Sequence, residues 1–233
     1  LRELCKEVVL RLAGKNDKAV RQLALPYGGG KTHTLITLYH LVNDPKTLPD
    51  LPAVREFKEA FGAEPPRARI AALCFDKLDV EKGMEVRSPE GETRWLKYPW
   101  SVLAYQIAGD EGLAIVVGED GKERETAPAE NLLAQLLKLP RKEGLSVLLL
   151  VDEVLMYARE KAGAERVWRS RLANFFQYLT QAVSKAERCA MVASLLASDP
   201  KRMDAIGKDI YNDIENVLGR QREETVQPVS KDD

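Results

Sequence analysis

Long apolar runs are missing from this sequence. No stretch approaches the ~20 residues that span a bilayer, and nothing in it resembles a signal peptide, so no membrane partner is expected. Cysteine is scarce: Cys5, Cys74 and Cys189 are the only three in 233 residues, and none forms a CxxC pair. That gives no sign of a disulfide framework and suits small buried hydrophobes in a reducing cytoplasm. Histidine is scarcer still. His33 and His40 lie seven apart on one expected helix, with no Cys or carboxylate spaced to complete a metal site. Charge of one sign is also lacking, since 35 Lys and Arg balance 36 Asp and Glu to a net −1. A broad nucleic-acid surface is therefore not indicated, and only a local patch remains open. Aromatics make up 6%. The cluster Trp95, Tyr98, Trp100 and Tyr105 has only Arg94 and Lys97 interleaved, which favours packing over base stacking. There is no internal repeat.

What is present is a folded domain's composition, 45% hydrophobic and 30% charged. Helical spacing runs over residues 1–12, stopped by Gly14. Residues 19–25, AVRQLAL, read as a strand leading into a glycine turn, and residues 32–42 as a helix ended by Asn43-Asp44-Pro45. A short helix is expected over 54–61 and a strand over 69–75. The stretch 76–98 reads as a hairpin or irregular excursion. Helices follow at 100–107, stopping at Gly109, and at 131–139, with a charged loop over 118–126. Residues 145–151, LSVLLLV, form the strongest strand, apolar enough for burial on both faces. A long amphipathic helix is expected over 165–187, a strand over 190–196 and a last helix over 209–218. Strands alternating with helices predict an α/β fold with a mostly parallel sheet covered on both faces, its ligand at the carboxyl ends of the strands. The domain expectation is an ATPase core over 1–220 with a polar excursion at about 76–130, then a tail or linker at 221–233.

Two motifs fall at such strand ends. Residues 25–32, LPYGGGKT, have the strand–glycine turn–helix shape that points several backbone N–H groups and a helix N-terminus at phosphate. Tyr27, Gly28, Gly29, Gly30, Lys31, Thr32 and His33 are the candidate nucleotide-binding residues. Lys31 would reach the β- and γ-phosphates of ATP and the Thr32 hydroxyl would bind Mg²⁺. The usual pattern is GxxxxGK followed by Ser or Thr. Leu25 stands at its first glycine, and the three successive glycines make the turn instead. The second motif is Asp152-Glu153 after the strongest strand. Asp152 suits the Mg²⁺ shell and Glu153 the polarisation of an attacking water, which makes Lys31 and Glu153 the catalytic candidates. A glutamate beside the magnesium aspartate marks the ASCE, AAA-like branch of three-layer P-loop NTPases. That branch places an extra strand between the phosphate-loop strand and the acidic strand. Residues 190–196 can be that strand, and Ser194 within it, or Ser198 just beyond, is placed to sense the γ-phosphate. A serine in a strand also finds ordinary backbone partners.

The runs YGGGKTHTL at 27–35, LLLVDEVLMYA at 148–158, LANFFQYLTQA at 172–182 and MVASLL at 191–196 resemble the AAA-like ATPases of domain-of-unknown-function family 499. The resemblance extends from the phosphate loop to about residue 228. It implies the nucleotide-binding part of a large multidomain prokaryotic ATPase, often encoded near DNA methylase and helicase genes in phage-defence islands. It also implies partners on DNA or among DNA-modifying proteins reached through other domains, and self-association through the ATPase interface. Such an interface often supplies an arginine to the neighbouring site, and Arg220 and Arg222, after the last helix, are the candidates. Arginines there equally complement a helix dipole. Two other functions fit the same motifs: a regulatory module that binds nucleotide without hydrolysis, and a small-molecule kinase with 76–98 as its lid.

Overall fold

The computed structural model describes residues 1–23, 30–195 and 205–219. Among the described residues four strands form one parallel sheet: β1 (Val20–Gln22), β2 (Ala68–Cys74), β5 (Ser146–Asp152) and β6 (Cys189–Ala193), in the spatial order β1-β6-β5-β2. An antiparallel hairpin of β3 (Met84–Arg87) and β4 (Thr93–Leu96) stands apart from it. The helices are α1 (Arg2–Leu12), α2 (Lys31–Asn43), α3 (Pro52–Phe61), α4 (Pro99–Val116), α5 (Glu130–Lys138), α6 (Val154–Ala164), α7 (Val167–Lys185) and α8 (Ala205–Gly219).

The alternation of side chains across each strand divides the interior in two. Leu148 and Leu150 of β5, with Ala190 and Val192 of β6, face one apolar cluster built with α1, α2 and α3. Val147, Leu149 and Val151, with Met191 and Ala193, face a larger cluster built with α4 to α8. All seven residues of β5 are buried, as expected for the most apolar strand. The result is the expected three-layer α/β arrangement. Its strand order is that of the AAA-like P-loop class, because β6 lies between β1 and β5 and pairs parallel with both.

Departures from the sequence reading are local. The helix expected to stop at Gly109 only breaks there: Ala108 and Gly109 leave helical geometry, Gly109 at φ 54° and ψ −136°, and the chain then resumes helix to Val116. Glycine takes this conformation without the Cβ clash other residues suffer. Helix α6 had no counterpart in the sequence reading, and α8 begins four residues earlier than the expected 209. The stretch 76–130 includes α4, whose Trp100, Leu103 and Tyr105 are packed in the larger cluster. Of the aromatic group, only Trp95 is exposed.

One buried cation ties the two helical layers together. Arg11 of α1 is 7% exposed. Its guanidinium donates to the carbonyls of Ala186 at 2.7 Å, Cys189 at 3.0 Å, Asn16 at 3.1 Å and Ser184 at 3.3 Å. It thereby satisfies carbonyls that the C-terminus of α7 leaves without helical partners. Arg11→Ala should lower unfolding stability by about 3 kcal/mol, since buried carbonyls lose their donors. Arg11→Lys should recover only part, because an ammonium lacks the planar fork. Urea denaturation checks this; a loss under about 1 kcal/mol would contradict the capping role.

Candidate functional site

The register of the sheet sets one row of residues at the carboxyl rim. Gln22 pairs with Ala193, Ala193 with Val151, and Val151 with Leu73. One step further on come Leu23, Ser194, Asp152 and Cys74. Leu23 N–H donates to the Ala193 carbonyl at 2.8 Å, and Cys74 pairs with Asp152.

Helix α2 begins beside this row. Gly30 caps it at φ 80° and ψ 22°, a left-handed turn that suits glycine. Thr32, in the first turn, donates its hydroxyl to Oδ2 of Asp152 at 3.0 Å, across 120 positions of sequence. The two motifs are thus in direct contact. Asp152 is 7% exposed, and its Oδ1 is buried with no hydrogen-bond partner among the described residues. Buried carboxylate oxygens without a donor are rare and costly. A hard cation is the kind of group that satisfies one, and a hydroxyl beside a carboxylate is oxygen chemistry suited to Mg²⁺. The residues present therefore fit a magnesium site that draws its other oxygens from phosphate and water. Among the described residues no three His, Cys, Asp or Glu side chains are grouped to hold a metal by themselves.

Glu153 follows in the left-handed region, at φ 57° and ψ 37°, as the N-cap of α6. A non-glycine residue pays about 1 kcal/mol or more for this conformation. Two backbone bonds hold it there: Glu153 N–H donates to the Ser194 carbonyl at 3.0 Å, and Ser194 N–H donates to Val151 at 2.7 Å. Burial raises the Glu153 carboxyl above its ordinary value, and the charges of Asp152 and Asp76 raise it further, against the opposing pull of Lys77 and Lys31. A raised value makes a carboxylate a stronger base at neutral pH. Ser194 is fully buried, and its Oγ has no partner among the described residues.

Asp76 and Cys74 were missed by the motif reading. Both stand where β2 ends, in and just beyond the rim row. The turn that carries Asp76 is held against α6 by Phe75, whose ring lies 5.3 Å from that of Tyr157. Asp76 pairs with Lys77 at 2.9 Å. The rule that ligands sit at the carboxyl ends of parallel strands applied to β2 as much as to β5 and was the signal available. Tyr27, Gly28, Gly29, Ser198, Arg220 and Arg222 lie outside the described residues. His33 is exposed in the first turn of α2. No described helix is long and apolar enough to cross a membrane.

Asp76→Asn removes one of the charges that raise Glu153 and leaves Lys77 unopposed. Glu153 in the magnesium-free protein should then titrate at lower pH than in the parent. Carboxyl-carbon NMR checks the direction, and an unchanged or higher midpoint would show that Asp76 does not act on Glu153.

A search of curated proteins finds no match. Among solved structures, the crystal structure of Cdc6p from Pyrobaculum aerophilum is similar at 16% identity and a TM-score of 0.38. It covers 94% of this chain, and the chain spans 48% of that protein's length. The model of the DUF499 N-terminal domain matches residues 1–225. The chain belongs to the DUF499 family, as an N-terminal domain of that kind.

Proposed function

We propose that this domain binds ATP with Mg²⁺ at the carboxyl rim of the sheet and hydrolyses it, serving as the motor or switch of a larger protein. The observation that carries the proposal is the Thr32–Asp152 hydrogen bond, with Asp152 Oδ1 buried beside it and without a donor among the described residues. Thr32 and Asp152 would hold the magnesium. When bound, that ion neutralises charge on the phosphoryl oxygens.

Each side chain then has a distinct task. Lys31 meets the β- and γ-phosphates, together with the backbone of residues 27–30, and His33 borders the same phosphates. Glu153 accepts a proton from a water whose oxygen bonds to the γ-phosphorus. The bond from that phosphorus to the β–γ bridging oxygen breaks, and ADP and phosphate leave. The raised affinity of Glu153 for protons supports the base role. Ser194 and Ser198 are proposed as γ-phosphate sensors, and Arg220 and Arg222 as arginines offered to a neighbouring subunit. The unpartnered Ser194 Oγ supports only the first of these. The same proposal takes residues 1–220 as the ATPase core and 221–233 as a tail or linker. Action on DNA and a part in phage defence are proposed on the family resemblance alone.

In the longest natural form of the protein, Lys31→Ala should weaken Mg·ATP binding at least tenfold, roughly 1.4 kcal/mol. Glu153→Gln should keep binding and lower turnover by about 10² or more, because shape stays and the base is lost. Fluorescent-nucleotide binding and phosphate release measure the two. Unchanged affinity in the lysine variant would falsify the site. Full turnover in the glutamine variant would remove the base. Binding without phosphate release in the parent would leave a nucleotide-responsive module.

A further inference from the structure

Among the described residues, strand β2 is an edge of the sheet. Ser146 N–H donates to the Arg67 carbonyl at 3.2 Å, so the odd-numbered positions along β2 turn their backbone groups toward β5. Ala68, Ile70 and Ala72 turn theirs outward. At Ala72 both groups are used by one side chain of α4. Its N–H donates to Gln106 Oε1 at 2.6 Å, and its carbonyl accepts from Gln106 Nε2 at 3.1 Å. A primary amide has the same donor and acceptor as a peptide group, so Gln106 fills one position of an absent neighbouring strand. Ala68 and Ile70 have no such partner among the described residues; Ile70 is half-buried, and Ala68 is only 6% exposed.

A groove of about 610 Å³ runs along this open edge, walled by Tyr39 and Asn43 of α2 and by Arg87, Ser88 and Glu90 at the hairpin end. Ser88 is 6% exposed, and its Oγ has no partner among the described residues. Arg69 is tied to Glu143 at 2.8 Å. Arg67 and Arg87, also in the wall, are exposed, and neither has an ion pair among the described residues. Glu90 is the one opposing carboxylate left in the wall once Glu143 is paired.

We propose that the open edge of β2 receives an extended, acidic segment of another polypeptide. The segment adds to the sheet as a fifth strand through Ala68 and Ile70 and sets its carboxylates against Arg67 and Arg87. Alternating outward N–H and C=O groups require a partner with both donors and acceptors, which a peptide has and a phosphate backbone lacks. A second copy of this chain would bring like charges together at the same edge, which disfavours that occupant. The groove shares Tyr39 and Ala72 with the cavity lined by Thr32, Cys74 and Asp152, so a bound strand borders the rim of the sheet.

The test uses two labelled hexapeptides, one alternating valine with glutamate and one alternating valine with lysine, read by fluorescence anisotropy. The acidic peptide should bind at least tenfold more tightly. Ile70→Pro removes an outward N–H and leaves the ladder to β5 intact, so it should weaken acidic-peptide binding by tenfold or more. The double variant Arg67→Glu with Arg87→Glu changes exposed side chains only and should reverse the preference, which keeps the test decisive if Ile70→Pro fails to fold. Equal binding of the two peptides, or an unreversed preference in the double variant, would overturn the proposal. So would a dimer in sedimentation that Ile70→Pro dissolves, since a second copy would then hold the edge.

Discussion

Asp152 ends a strand in which every residue is buried, and its carboxylate is withdrawn from water with one oxygen on the Thr32 hydroxyl and the other without a donor among the described residues. A charge in that position is costly unless something answers it. Thr32 answers half, and in doing so joins the first turn of α2 to the end of β5. The rest of the rim follows from this placement. The free oxygen defines where a cation would sit, Lys31 precedes Thr32, and Glu153 follows Asp152 directly.

The sheet order makes the placement possible. Because β6 lies between β1 and β5, its end reaches the rim at Ser194, and the backbone of Ser194 both supports Val151 and accepts from Glu153. Glu153 is thereby held left-handed at the start of α6. Strain of this kind persists only where surrounding bonds over-determine it, and it is commonly found at functional sites. The second carboxylate contribution comes from the other neighbour of β5: β2 delivers Asp76, which raises the proton affinity of Glu153.

The sheet was legible because its strands are short apolar runs with different partners on their two faces, and Leu148 to Val151 left little choice of conformation. The two motifs were legible because glycine, lysine and paired acids at strand ends have specific physical uses. Helix α6 was not, since residues 154–164 show a weak apolar stripe: Met156 is exposed while Lys161 is buried, its ammonium donating to the Val80 carbonyl at 2.6 Å. The resumption of α4 after Gly109 was hidden by a glycine that also signals helix termination. Arg11 reads as an ordinary charge on an amphipathic helix, and its burial depends on carbonyls more than 170 residues away in sequence. The Gln106 amide on the β2 edge is a tertiary match of the same sort. Asp76 needed only the strand-end rule, applied to one more strand.

In the proposed function, Thr32 and Asp152 form a cation site completed by nucleotide. Manganese replaces magnesium at such oxygen sites and is read directly by electron paramagnetic resonance. The measurement is the free manganese signal, titrated with protein in the presence and absence of ATP, for the parent and for Thr32→Val with Asp152→Asn. The expected result is manganese uptake by the parent that requires ATP and exceeds what ATP alone binds, with that excess lost in the double variant. Equal uptake by the parent and the double variant would contradict the site.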